Sequence, residues 1–379
     1  MTIGTHRRRR DLLRASMVHL GVDALLVTDL INVQYLTGFT GSNAALLVVG
    51  SDGEDGAADG TDEAEARTRF CTDGRYTTQS AAEVPDLPRV IGRPCDLALL
   101  RLAPGGVVGF EARSVTVADH APLLAIAADS KRPIELAPTL DMVEGLRAVK
   151  DAGEIDALAR ACAVADRALE ELIEAAGIRP GRTERAVGLD LDQRMRELGA
   201  TDPAFETIVA AGANSAIPHH RPTGAVLAAG DFVKLDFGAT VDGYHSDMTR
   251  TFVLGAPADW QREIYLVVQQ AQTAGRLACR VGATGAEIDA AARDVISDAG
   301  YGPQFSHGLG HGVGLQIHEA PSLARESPSM MVPDMCVTVE PGVYLPGRGG
   351  VRIEDSGVIR ADGGYYVLTQ TSKELCVLA

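Results

Sequence analysis

Two aspartates, Asp236 in the segment LDFG and Asp247 in SDMTR, bracket an Asp242-Gly243 pair, and no other stretch restricts the fold of this chain so tightly. Asp-Gly between β-prone runs favours a tight hairpin, because glycine takes positive φ without steric cost. If the turn centres on Val241 and Asp242, the two aspartates face each other directly. If it centres on Asp242 and Gly243, Asp236 pairs with Thr249 and Asp247 lies two residues away on the same face. Either register gathers two carboxylates beside Leu235, Phe237 and Met248. Like charges opposed on a sheet are destabilising, and a bound cation resolves the conflict. Taken alone, the hairpin is equally compatible with aspartates that cap the turn or face solvent.

Two further clusters repeat the theme. Glu340 ends the strand-like run CVTVE and Glu354 lies in VRIED, with Arg352 on the same strand face as Glu354. Such a pair in isolation is more often an exposed charged face. The glycine-rich segment HGLGHGVGLQIHE carries His307, His311 and His318, and two more of the nine histidines, His219 and His220, stand together in NSAIPHH. Four carboxylates and one imidazole together meet the demand of two divalent ions that share carboxylate bridges and activate a water or hydroxide as nucleophile. Two dications balance four carboxylates. Oxygen-rich ligation without thiolate favours Mn²⁺ and similar hard ions, with Co²⁺ and Zn²⁺ as alternatives.

The length of 379 residues predicts two domains. The first alternates helical spacing at 8–20 with apolar strand-like runs at 24–28, 44–49 and 69–72, an α/β pattern. The acidic stretch 51–66 contains no basic residue and is expected to be a solvated, flexible insertion. Pro133 and Pro138 mark 131–141 as a linker, which sets the domains at 1–139 and 140–379. The second is α+β. Asp151 and Glu154 cap a first helix closed by Gly177; further helices start at Thr183, Asp259 and Thr284; strands fall at 205–211, 232–239, 244–253, 335–340 and 350–359.

Acidic residues outnumber basic ones 51 to 35, and a net charge of -16 argues against nucleic acid or anionic membrane as partner. The six cysteines form no C-x-x-C pair and are expected to be reduced, mostly buried thiols. The basic run Arg7–Arg10 is followed by Asp11, Arg14, His19 and Asp23, so it is expected to be a charged helix face and not an export signal. With no apolar run long enough to cross a bilayer, a soluble cytoplasmic protein is expected.

In order along the chain, LDFG, SDMTRT, HGLGHGVGL, VEPGVY and VRIED resemble the motifs of the pita-bread metallopeptidases, specifically aminopeptidase P and prolidase. YLTGFTGS at 35–42, DGRYTTQS at 73–80 and VGFE at 108–111 resemble their amino-terminal domain. The resemblance implies a creatinase-like α/β domain followed by an α+β pita-bread catalytic domain. It implies that Asp236 chelates one metal, that His311 and Glu340 chelate the other, and that Asp247 and Glu354 bridge them. It further implies attack by a metal-bridging hydroxide, with Glu340 accepting its proton and His219 and His318 stabilising the oxyanion. His307, Tyr344 and Arg352 match positions that line the proline pocket or hold the metal shell. The implied substrates are peptides with proline at the second position, and the implied assembly is a homodimer. TGFTGS and RYTTQS lean toward aminopeptidase P, which acts on longer peptides, over prolidase, which is restricted to Xaa-Pro dipeptides. A binding module that kept the fold and lost catalysis is the reading from another class; it conflicts with the presence of all five ligand positions.

Overall fold

Residues 2–51 and 58–379 are described by a computed structural model, in which the chain divides into two units, Met1–Arg147 and Ala148–Ala379. In the first, six strands form one mixed sheet: Ala24–Val27 (β1), Ala44–Val49 (β2), Arg69–Thr72 (β3), Arg89–Ile91 (β4), Gly106–Glu111 (β5) and Ile134–Thr139 (β6), in the order β4-β3-β2-β1-β5-β6. Every residue of β1 and β2 is buried, which is why these strands are unbroken apolar runs and not alternating ones.

Three expectations for this unit need correction. The acidic stretch is not simply a solvated insertion: 52–57 lie outside the described residues, but Ala58–Arg67 is a helix. Its Glu65 is buried and accepts from Arg10 Nε at 3.0 Å and Arg14 Nη2 at 2.5 Å. The basic run lies on the helix Ile3–Leu20 as expected, but it is a charged face only in part: Arg7 and Arg8 are exposed, whereas Arg9 and Arg10 are buried, as is Arg14 beyond them. The proline-marked segment is not a linker. Pro138 pairs with Phe110 in β6, an edge strand, where a missing N–H leaves no bond unmade. The division in sequence falls at 147/148 because Met142–Arg147 is tied to the first unit: buried Asn32 donates to Glu144 at 2.7 Å and accepts from Arg147 at 2.9 Å.

The second unit contains Asp202–Pro203 (β7), Ile208–Ala211 (β8), Phe232–Phe237 (β9), Ala239–Val241 (β10), Tyr244–His245 (β11), Met248–Leu254 (β12), Gly310–Gly312 (β13), Glu319–Leu323 (β14), Cys336–Val339 (β15), Gly342–Leu345 (β16), Gly349–Arg352 (β17), Asp355–Ile359 (β18), Tyr365–Val367 (β19) and Val377–Leu378 (β20). The principal sheets run β20-β12-β9-β8 and β14-β13-β15-β18-β19. A helix pair backs each. Leu169, Leu172, Leu191 and Met195 from Ala152–Glu174 and Glu184–Glu197 form one core with Val209, Val233, Leu235 and Phe252. Ile264, Val268, Ile288 and Ile296 from Asp259–Ala278 and Gly285–Asp298 form another with Leu309, Val337, Val339 and Val351. The expected capping boxes are present at Asp151/Glu154 and Thr284/Glu287.

The turn between β10 and β11 centres on Asp242 and Gly243, whose φ values of 52° and 81° are those a two-residue hairpin turn of the primed type demands. It selects the second register: Asp236 of β9 pairs with Thr249 of β12. All six cysteines are free and five are buried. No described helix is long and apolar enough to cross a membrane.

Candidate metal centre

Asp236 stands on β9, between Ile208 of β8 and Thr249 of β12. Asp247 immediately precedes β12, Glu340 immediately follows β15, and Glu354 lies between β17 and β18. Main-chain bonds fix the last two: Glu340 N–H donates to Leu309 O at 2.8 Å and Glu354 N–H to Thr249 O at 3.1 Å. His311 is the middle residue of β13. Its Nδ1 lies 3.0 Å from Gly312 O, which can only accept, so Nδ1 carries the proton and Nε2 keeps its lone pair. That Nε2 is 3.6 Å from Asp247 Oδ2 and 3.5 Å from Glu340 Oε1. One ligand atom each of Asp247, His311 and Glu354 fall within 4.8 Å of one another.

All five residues line one cavity of about 580 Å³, together with His219, His307, His318 and Arg352. Phe205, Ile208 and Ile317 add apolar wall. The carboxylates are crowded and poorly hydrated. Burial, reinforced by Glu354 and Asp236, holds Asp247 far above the usual carboxylate range; burial, then Glu340 and Asp236, does the same to Glu354. Burial pushes Glu340 up to about 8, and it lowers His311 to about 4, leaving the imidazole neutral. Asp236 Oδ1 and Glu354 Oε1 are buried with no hydrogen-bond donor among the described residues. Bare oxygens beside a neutral imidazole are the donor set a divalent cation takes.

The residues expected at the substrate divide into two kinds. His219 and His318 are exposed on the cavity wall, and the His318 ring lies 4.3 Å from that of His311. Arg352 and Tyr344 are buried and bound to each other: Arg352 Nη1 donates to Tyr344 Oη at 2.8 Å. Arg352 also donates to Asp236 through Nη2 and to Thr249 Oγ1 through Nε at 3.0 Å. The Tyr344 hydroxyl lies 2.9 Å from His307 Nε2, the acceptor nitrogen of that ring because Nδ1 donates to Gly308 O at 2.8 Å. A relay Asp236–Arg352–Tyr344–His307 therefore runs from the carboxylates to the cavity wall. Thr249, which the second hairpin register pairs with Asp236, also accepts from Arg352; that side-chain role is not legible in the sequence, because a threonine in a strand carries no distinguishing pattern.

Comparison with known proteins bears on both units. Residues 156–361 match the metallopeptidase family M24, and residues 9–149 match the Creatinase/Prolidase N-terminal domain. The uncharacterized peptidase YqhT of Bacillus subtilis (strain 168) is 39% identical over 97% of this chain and 99% of its own length. The solved structure of the Xaa-Pro dipeptidase from Bacillus anthracis superposes with a TM-score of 0.88 at 37% identity, covering 98% of this chain and all of the other. That of the X-Pro aminopeptidase from Thermotoga maritima MSB8 gives 0.85 at 31%, covering 97% and 99%. Several further curated relatives also carry the name Xaa-Pro dipeptidase.

Proposed function

The chain belongs to metallopeptidase family M24, and from that premise we propose that it hydrolyses the bond preceding proline, with Xaa-Pro dipeptides as its substrates. The observation that carries the metallopeptidase chemistry is the convergence of five potential ligands, two with bare buried oxygens, on one cavity. Asp236, Asp247, His311, Glu340 and Glu354 would hold a pair of divalent ions, with Mn²⁺ favoured by the excess of carboxylate oxygen over imidazole and the absence of thiolate. When bound, such a pair supplies Lewis acidity toward the scissile carbonyl and an activated water.

The protein's own groups supply the rest. Glu340 immediately follows β15 at the cavity wall and is the carboxylate that accepts and returns the proton of the attacking water. His219 and His318 present imidazoles at the same wall, as donors to the oxyanion that develops on the scissile carbonyl. Arg352 and Tyr344 orient Asp236 and His307 from behind.

The preference for dipeptides over the longer peptides of aminopeptidase P replaces the lean taken from TGFTGS and RYTTQS. It is supported by the predominance of the names Xaa-Pro dipeptidase and prolidase among the curated relatives and solved structures that the chain resembles. The test is turnover of Gly-Pro beside Arg-Pro-Pro by the Mn²⁺-supplemented protein. Gly-Pro cleavage with Arg-Pro-Pro left intact is expected. Comparable cleavage of Arg-Pro-Pro would return the assignment to aminopeptidase P, and cleavage of neither by protein with two bound ions would overturn it.

A further inference from the structure

Lys234 is fully buried on β9, two positions before Asp236 and hence on the same strand face. Its ammonium donates to three main-chain carbonyls: Ile217 at 2.7 Å, Ser215 at 3.2 Å and Pro218 at 3.3 Å. Three donors meet three acceptors, all from the segment that leads into His219. Arg352 Nη1 reaches Pro218 O as well, at 3.2 Å. The far side of the same segment is held by Glu184, also fully buried. Glu184 accepts from Ala211 N–H and Asn214 Nδ2 at 2.9 Å each, from Thr223 N–H at 3.0 Å and from Thr223 Oγ1 at 2.7 Å; His220 Nε2 lies 2.9 Å from it.

Two neighbouring histidines that both line the cavity are thus held differently: His220 is buried against Glu184, and His219 is exposed. Burying an ammonium whose hydrogen-bond partners are neutral carbonyls, with the Tyr344 ring centroid 5.1 Å away, is expensive, and an apolar side chain of similar volume would fill the space at lower cost. What the lysine provides in return is the placement of one short stretch of main chain.

We propose that Lys234 and Glu184 are positioning residues that fix the 211–223 segment so that His219 is held over the cavity, Lys234 by clamping the carbonyls that precede it and Glu184 by gathering the donors on either side. The inference rests on the reading of His219 as an oxyanion donor in this peptidase. It predicts that Lys234 acts on the reaction through His219 and not through metal binding.

The test is a double-mutant cycle on the Mn²⁺-loaded enzyme, measuring kcat/KM for Gly-Pro in wild type, Lys234→Met, His219→Gln and the double variant, with metal content checked by elemental analysis. Lys234→Met is expected to lower kcat/KM by about tenfold or more with both ions retained, since small misplacements of a catalytic group are costly. The double variant is expected within about twofold of His219→Gln alone. Multiplying effects, or loss of a metal ion in Lys234→Met, would overturn the proposal. Should Lys234→Met not fold, Lys234→Gln, which keeps N–H donors on a shorter stem, takes its place. A second readout needs no turnover: amide exchange across 212–219 is expected to rise at least about tenfold in the variant while β9 stays protected, and unchanged exchange would refute the clamp. Failure of wild type to cleave Gly-Pro would count against the dipeptidase reading and leave this second readout standing.

Discussion

Replacing Asp247 by Asn should change stability in opposite directions with and without metal. Asp247 and Glu354 offer oxygens within 4.8 Å of each other, both residues being buried. At an effective dielectric constant of about 20, two unit charges at that separation repel by about 3.5 kcal/mol. Uptake of a shared proton relieves part of this, so removal of the Asp247 charge is expected to stabilise the metal-free protein by about 1–3 kcal/mol. For a unit of this size that raises Tm by roughly 2–4 °C per kcal/mol. In the wild type, Mn²⁺ at about one hundred times Kd contributes about 2.7 kcal/mol per site, hence a rise of roughly 10–20 °C for two sites. Asp247→Asn, having lost a shared ligand, should forfeit most of that rise. The assay is thermal unfolding at about pH 8 of chelator-treated protein, with Mn²⁺ titrated back. A lower metal-free Tm for the variant, or an undiminished Mn²⁺-induced rise, would refute the account of this site as a cation-requiring carboxylate cluster.

The metal-free protein should lose stability as pH rises. Burial and neighbouring carboxylates place Asp247 and Glu354 well above the usual range, and burial puts Glu340 at about 8 against an ordinary 4.5. The folded state then holds carboxyl protons that the unfolded state has released, while His311, held at about 4, and His307, held at about 3, contribute the opposite slope below the ordinary imidazole value of about 6.5. The net slope of stability against pH is therefore negative between about 6.5 and about 8; urea denaturation of chelator-treated protein across that interval checks it, and a rising stability there would contradict it. Gly310→Ala should weaken both the fold and Mn²⁺ affinity, because its Cβ would stand 2.1 Å from Thr338 O in the strand beside β13. A cost of about 1–3 kcal/mol is expected, measured by Tm and Mn²⁺ titration, and wild-type values for both would show that β13 shifts freely.

Legibility in the sequence followed the range of the interaction. The hairpin at Asp242-Gly243 and the capping boxes at Asp151 and Thr284 are local, set by residues a few positions apart, and each is present in the structure. The helix Ala58–Arg67 could not be read from its acidic composition, because the groups that make Glu65 a buried residue are Arg10 and Arg14, far away in the chain. Pro138 misled for a related reason: proline excludes a central strand but not an edge, and position in a sheet is a property of the whole topology. In the site, the five candidate ligands are legible as charged or imidazole residues in glycine-flanked motifs, and the structure brings them to one cavity. Their supports are not, since the side-chain bonds of Thr249, Lys234 and Glu184 run to residues 16 or more positions away, which only the tertiary fold brings near.

Those supports explain how four carboxylates can be kept so close at all. Thr249 pairs with Asp236 in the β9–β12 ladder, offers its carbonyl to Glu354 N–H, donates its hydroxyl to Glu354 Oε2 at 2.7 Å, and accepts from Arg352 Nε. One residue thereby ties the first hairpin to the segment between β17 and β18. Arg352, the only full positive charge bonded to a candidate ligand among the described residues, is itself restrained by Tyr344 and Thr249. It offsets the charge of Asp236, and the neutral hydrogen bond from Thr249 orients Glu354 without cancelling its charge. Geometry is thus fixed by groups that leave the charge in place, and the remaining negative potential is what two divalent ions would bind against.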